Sequence, residues 1–172
     1  MIYTAFADGW MELPSRLARC ALGKAGVIPG GAKREGDGAS PAGVWPMRKV
    51  LFRPDRGPAP ASRLPLSPIA SDEGWCDAPE HPAYNRPVRF PHPASAERLW
   101  REDRLYDVVV VLGYNDDPVV PYAGSAIFLH LAAVGFAPTK GCVALAAADL
   151  LHLLNQARPG DCVRIRAEPR AV

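Results

Sequence analysis

The 172-residue chain is short of most features by which a sequence announces a common function. It has no C-x-x-C pair, so its four cysteines match no zinc-site spacing. It has no long lysine or arginine run, and a formal net charge of +2 is too small for an electrostatic footprint on phosphates; no nucleic-acid partner is expected. No apolar run reaches membrane-spanning length, and the longest near the end, Val143 to Leu151, is broken by Asp149. Met1 to Gly9 shows no basic segment followed by an apolar one, so no secretory signal is readable there. There is no internal repeat. At 172 residues the chain can bury one core and is short for two, so a single domain over residues 1–172 is expected.

What the chain does have is turn chemistry. Nineteen prolines and fifteen glycines point to short strands and many turns rather than a helical bundle. The first thirty residues alternate loosely and are broken by Gly9, Pro14, Gly23, Gly26 and Gly30, as short strands joined by turns would be. Residues 33–44 (KREGDGASPAGV) read as a polar, glycine-rich loop, with Asp37 a turn aspartate that accepts backbone N–H groups. Pro54 to Pro93 holds more than half of the prolines and almost no periodic pattern. It reads as a long irregular excursion, whose Trp75, Cys76, Tyr84 and Phe90 argue for packing rather than disorder.

Beyond it the pattern sharpens. Ser95 to Asp103 reads as a short helix with Ser95 as N-cap. Tyr106 to Leu112 (YDVVVVL) is a nearly continuous β-branched run ended by a glycine and the Asn115–Pro118 turn, which predicts a central strand buried on both faces. Ala126 to Leu131 is a second apolar strand, Ala146 to Ala157 a leucine-rich helix, and Asp161 to Ala167 a strand with one wet face. The fold class is mostly β with one or two short helices.

The chemistry concentrates in Ser125 to Leu145 (SAIFLHLAAVGFAPTKGCVAL). His130 ends an apolar strand, and twelve residues later Cys142 follows Thr139-Lys140-Gly141 in a tight turn. Read as leading into a helix, that turn would set Cys142 at the positive end of the helix dipole, and with a histidine nearby its thiol pKa would fall. Gly141 permits close backbone approach, and the N–H groups of Gly141 and Cys142 suit an oxyanion. Taken singly, a histidine in an apolar strand is more often a packed core residue and a cysteine inert filler. The four cysteines also admit disulfides, Cys20 with Cys76 being one conceivable pair, while Cys20 and Cys162 suit plain burial equally well.

A resemblance joins these pieces. The run TKGCVAL resembles the [ST]-x-G-C-[IV]-R-[ML] signature of YkuD-like L,D-transpeptidases, with His130 in place of that family's upstream histidine. Lys33 to Gly43 is similar to the family's K-x-G-D-G-x-[ST]-P-x-G loop apart from one extra residue after the lysine, and GYNDDP and GSAIFLH also look like this superfamily. Ala144 stands where the signature has arginine, and Leu131 where glycine follows the histidine. The His-to-Cys connection is also shorter than in many relatives. The lost arginine implies a divergent branch with altered substrate contacts.

The resemblance implies a β-rich, sandwich- or barrel-like domain acting on peptidoglycan stem peptides, periplasmic, monomeric, inhibited by carbapenem-type β-lactams, and needing no metal or organic cofactor. Cys142 would be the nucleophile and His130 the base, oriented by a backbone carbonyl rather than an acid, with Gly141 in the oxyanion turn. Thr139, Lys140, Arg86, Arg89 and Trp75 would contact substrate, the cations replacing the lost arginine and the proline-rich excursion forming a cleft wall. Such a site makes 3-3 or 1-3 cross-links; alternatives are a carboxypeptidase or amidase with the same pair, or a wall-binding module that does no chemistry. A papain-like arrangement is disfavoured, because there the cysteine precedes the histidine.

Overall fold

In the computed structural model, which describes residues 1–171, glycines and prolines cut the chain into thirteen strands and one α-helix. Four short strands come first: β1 (Ile2–Phe6), β2 (Trp10–Leu13), β3 (Arg16–Ala21) and β4 (Val27–Pro29). A 13-residue strand, β5 (Ser40–Phe52), follows. The proline-rich excursion carries β6 (Leu66–Pro68), β7 (Glu73–Cys76), β8 (Pro87–Arg89) and β9 (Ala96–Arg98). The last part holds β10 (Val108–Leu112), β11 (Phe128–Leu131), β12 (Val143–Leu145), α1 (Ala147–Gln156) and β13 (Cys162–Arg166).

The strands β10-β11-β12-β3-β2-β1-β13-β5 lie side by side, and β5 also pairs with β10, so the sheet closes on itself as a barrel. The length of β5 makes closure possible. Its residues 43–46 pair with β13 and its residues 47–52 with β10, so one strand serves both edges and leaves neither exposed. Closure also explains why YDVVVVL reads as doubly buried. Val110 and Leu112 of β10 point into the interior core with Tyr3, Met11, Leu129, Val143 and Leu145, whereas Val109 and Val111 point outward into a second cluster. The helix inserts Leu150, Leu153 and Leu154 into the interior core, each fully buried. Burial of a leucine is worth about 1.5–3 kcal/mol, so this face, not the uncapped start at Ala146, holds the helix in place.

The outward cluster is covered by the excursion, which forms a cap. Strands β8-β7-β9 make a small sheet of their own, and Trp75, Ile69 and Leu99 pack from it against Val109, Val111 and Phe128 of the barrel. Arg53 anchors the cap at its base: its guanidinium stacks 3.7 Å from the centre of the Trp100 ring and pairs with Asp55.

Three sequence expectations are corrected. Ser95–Asp103 is not a helix; Ala96–Arg98 is a strand, because β7 offers a hydrogen-bonding edge in the register Trp75↔Glu97 and Cys76↔Ala96, and tertiary pairing outweighs weak local propensity. The loop read over 33–44 ends at Ala39, and Ser40 already belongs to β5. The conceivable Cys20–Cys76 disulfide does not form: Cys20 lies in the interior core and Cys76 in the cap, and all four cysteines are free.

Candidate active site

Parallel pairing of β11 with β12 in the register Leu129↔Val143 and His130↔Ala144 puts Leu129, Val143 and Leu145 inside the barrel. By alternation, Phe128, His130, Cys142 and Ala144 share the outer face under the cap. Cys142 and His130 are therefore diagonal neighbours on adjacent strands. Only 7% of Cys142 and 5% of His130 is exposed.

The turn before Cys142 is fixed by side chains from distant segments. Gly141 has φ +138°, and a Cβ there would lie 2.8 Å from the Ala39 carbonyl oxygen, so only glycine fits. Its N–H donates to Thr139 Oγ1 (3.1 Å), the Thr139 hydroxyl donates to the Cys142 carbonyl (2.7 Å), and Ser40 Oγ donates to the Gly141 carbonyl (2.8 Å). Thr139 thus organises the turn, and the Gly141 amide expected in the oxyanion hole is engaged by it. The loop behind is held by Asp37, which accepts from the N–H groups of Arg34 and Ala39 and pairs with the buried Lys33. Burial pushes the Asp37 carboxyl up, but these hydrogen bonds outweigh it and leave the group below its usual range. Glu35 of the same loop accepts from Tyr84 of the cap and from Ser125.

His130 Nδ1 lies 2.8 Å from the Leu131 carbonyl. A carbonyl only accepts, so Nδ1 carries the proton and Nε2 keeps its lone pair, the tautomer a general base requires. Burial pushes the imidazole down to about 4, so it is neutral at pH 7. The thiol differs from expectation. Cys142 is followed by β12, and the helix starts only at Ala147, so no helix dipole acts on it. Burial pushes the thiol up to about 12, with Glu97 adding to this and the Phe128 amide, Lys33 and Arg101 opposing it. Sγ donates to the Ala126 carbonyl (3.2 Å) and accepts from the Phe128 N–H (3.4 Å). The resting pair is a neutral thiol and a neutral imidazole, not thiolate and imidazolium.

Three further groups complete the site, all from the cap or its junction. Tyr106 sits edge-on to His130, ring centres 5.1 Å apart, and its hydroxyl donates to Glu97 (2.7 Å). Burial pushes the Glu97 carboxyl up, so it resists ionisation more than a surface glutamate. Arg101 lies over the Tyr106 ring and 3.5 Å from Glu97, and its charge reaches both Cys142 and His130. No sequence signal singled out these three: Glu97 and Arg101 lie in the segment that reads as a helix, and Tyr106 reads only as the start of a buried strand.

The substrate-contact expectations separate spatially. Trp75 is buried, edge-on to Phe128 (5.2 Å), with its indole N–H donating to Asn85. A cavity of about 200 Å³ opens beside these two rings, lined in part by Arg48, Lys49 and Arg86. Lys140 is exposed, its charge acting on Glu97. Arg89 forms an exposed ion pair with Asp72.

The chain matches the family model for the L,D-transpeptidase catalytic domain, YkuD, over residues 2–165. The chain belongs to the YkuD family. No curated protein matches it. Among solved structures it is similar to an L,D-transpeptidase from Mycobacterium smegmatis, at 12% identity and a TM-score of 0.42, over 95% of this chain. The chain spans 57% of that protein's length. Within the YkuD frame, Ala144 occupies the signature's arginine position, and the register places it directly opposite His130. Ala144 is 1% exposed.

Proposed function

We propose that this YkuD domain is a cysteine-dependent L,D-transpeptidase acting on peptidoglycan stem peptides outside the cytoplasmic membrane. The observation that carries the reading is the His130 ring, held as the Nδ1–H tautomer on the same face as Cys142. The His130 Nε2 lone pair takes the thiol proton as Sγ attacks the donor carbonyl, so proton transfer and attack are concerted rather than sequential. The tetrahedral intermediate then expels the terminal D-residue, whose nitrogen takes the proton back from His130. The thioester on Cys142 is resolved by an acceptor amine, giving a 3-3 or 1-3 cross-link. Arg101 beside the pair, with Arg86 and Arg48 at the adjoining cavity, supplies the positive charge that the missing arginine would bring.

The test is mass spectrometry of tetrapeptide and pentapeptide muropeptides incubated with the protein and with Cys142→Ala. Cross-linked dimers made by the parent alone support the reading, and fragmentation distinguishes 3-3 from 1-3 links. Shortened monomers without dimers transfer the activity to an L,D-carboxypeptidase or amidase. No reaction, together with no carbapenem adduct on Cys142, sinks the enzymatic reading and favours a wall-binding module.

A further inference from the structure

The cap holds a second constellation that the acyl-transfer site does not use. In β7, Trp75 faces the barrel and Cys76, by alternation, faces the opposite side of the small sheet, where it is fully buried. There its sulfur meets the imidazoles of His81 and His92. One donor atom from each of the three residues lies within 4.8 Å of the other two, and the two rings stack edge to face at 4.8 Å. The scaffold is closed around them: the Cys76 N–H donates to the Arg86 carbonyl and the Asn85 N–H to the Cys76 carbonyl, so the loop bearing His81 is pinned at its base. The second observation is a missing partner. His92 Nε2 is buried and has no hydrogen-bond partner among the described residues, which is costly for a polar nitrogen.

We propose that Cys76, His81 and His92 bind one zinc-type divalent ion. A sulfur with two imidazole nitrogens is a soft-to-borderline donor set that selects zinc and its neighbours over magnesium or calcium. Metal–sulfur and metal–nitrogen bonds of about 2.3 and 2.1 Å in a tetrahedron require the donors to draw in by about 1 Å, which side-chain rotation supplies. As the metal–sulfur bond forms, the Cys76 thiol gives its proton to solvent; water fills the fourth position. His81 Nδ1 now accepts from the Ala83 N–H (3.1 Å). Coordination through either nitrogen of His81 ends that bond, since Nδ1 then carries the ring proton or the ion. The sequence conceals the site because its ligands are spaced C-x4-H-x10-H, with no paired cysteines.

The ion would tie β7 to the loop after it and to the turn leading into β9. Those segments carry Trp75, Asn85 and Glu97, and Asn85 accepts from both the Trp75 indole and the Ala126 N–H, next to the carbonyl that holds the Cys142 thiol. Its role is to hold the cap over the catalytic face.

The test uses the full chain with any purification tag removed and with Cys142→Ala, so that the nucleophile cannot bind metal. Cobalt(II) is titrated and read by absorbance, and bound zinc after dialysis is counted by elemental mass spectrometry. One ion per chain, a sulfur-to-cobalt charge-transfer band and intense visible bands of a tetrahedral site are expected. Cys76→Ser should abolish the sulfur band, and His92→Ala should weaken binding at least tenfold, while Cys162→Ser changes neither. A spectrum without the sulfur band, or one unchanged in Cys76→Ser, overturns the proposal. Because Cys76 is fully buried, circular dichroism checks its variant's fold, and the partly exposed His92 gives the decisive result if Cys76→Ser does not fold.

Discussion

Strands β10, β11 and β12 face two cores at once, and the two are built on different terms. Inside the barrel the residues are almost all apolar: Val110, Leu112, Leu129, Val143 and Leu145 meet Tyr3, Met11 and the leucines of α1. Outside, on the same strands, Val109, Val111 and Phe128 share their cluster with Cys142, and His130, Tyr106 and Glu97 adjoin it. Buried polar atoms with no hydrogen-bond partner among the described residues occur on both sides: the Tyr3 hydroxyl in the interior, and carboxyl oxygens of Asp77 and Asp107 towards the cap. Unpartnered buried polar groups lower stability. The interior is held by apolar burial, whereas the capped face gathers the buried titratable groups Glu97, His130 and Cys142.

That contrast can be broken at either face. His130→Ala should lower acyl transfer by about 10²–10⁴-fold, the usual worth of a positioned base, while costing less stability than an interior truncation. An equal loss of stability would make His130 a structural residue. On the interior, Leu129→Ala should cost about 2–5 kcal/mol in a urea titration, through lost burial plus the cavity it leaves, with per-molecule activity retained below the transition. Loss of activity without loss of stability there would mean the two faces are not independent.

The pH dependence sharpens the comparison. His130 titrates near 4 in the fold against about 6.5 when unfolded, so the unfolded chain binds the extra proton first. The stability held by the neutral ring is therefore complete above about pH 6.5 and is lost as pH falls towards 4, by about 3 kcal/mol in all. Urea midpoints measured from pH 7 to 4 should show this slope in the parent and not in His130→Phe. Thiol labelling gives a kinetic version of the same contrast. Cys142 is buried and protonated, whereas Cys162 is half-buried at the end of β13, so iodoacetamide should reach Cys162 first. Faster labelling of Cys142 would show that the cap opens readily. The smallest effect belongs to Arg89. Its exposed pair with Asp72 is worth less than about 1 kcal/mol, and Arg89→Gln should leave KM for muropeptides unchanged. A raised KM would return Arg89 to the substrate site.

Much of the frame was legible along the chain. The doubly buried β10, the leucine-rich α1 and the alternating β13 follow from periodicity, and Lys33 to Gly43 with Thr139 to Leu145 carry the family resemblance that the match over residues 2–165 establishes. These are local patterns, in which each residue's neighbours in sequence are also its neighbours in space. The cap was misread because β9 exists only through pairing with β7, and with it went Glu97, Arg101 and the part played by Tyr106. The state of the Cys142 thiol was misread for the same reason. A thiol's pKa depends on what surrounds it, and Cys142 is enclosed by Phe128 and the cap rather than set before a helix. By itself the sequence determined which residues alternate and which turns need glycine. Only the tertiary structure decided which alternate face is covered, and hence how far Cys142 and His130 are removed from water, because burial is a property of segments that meet across the fold.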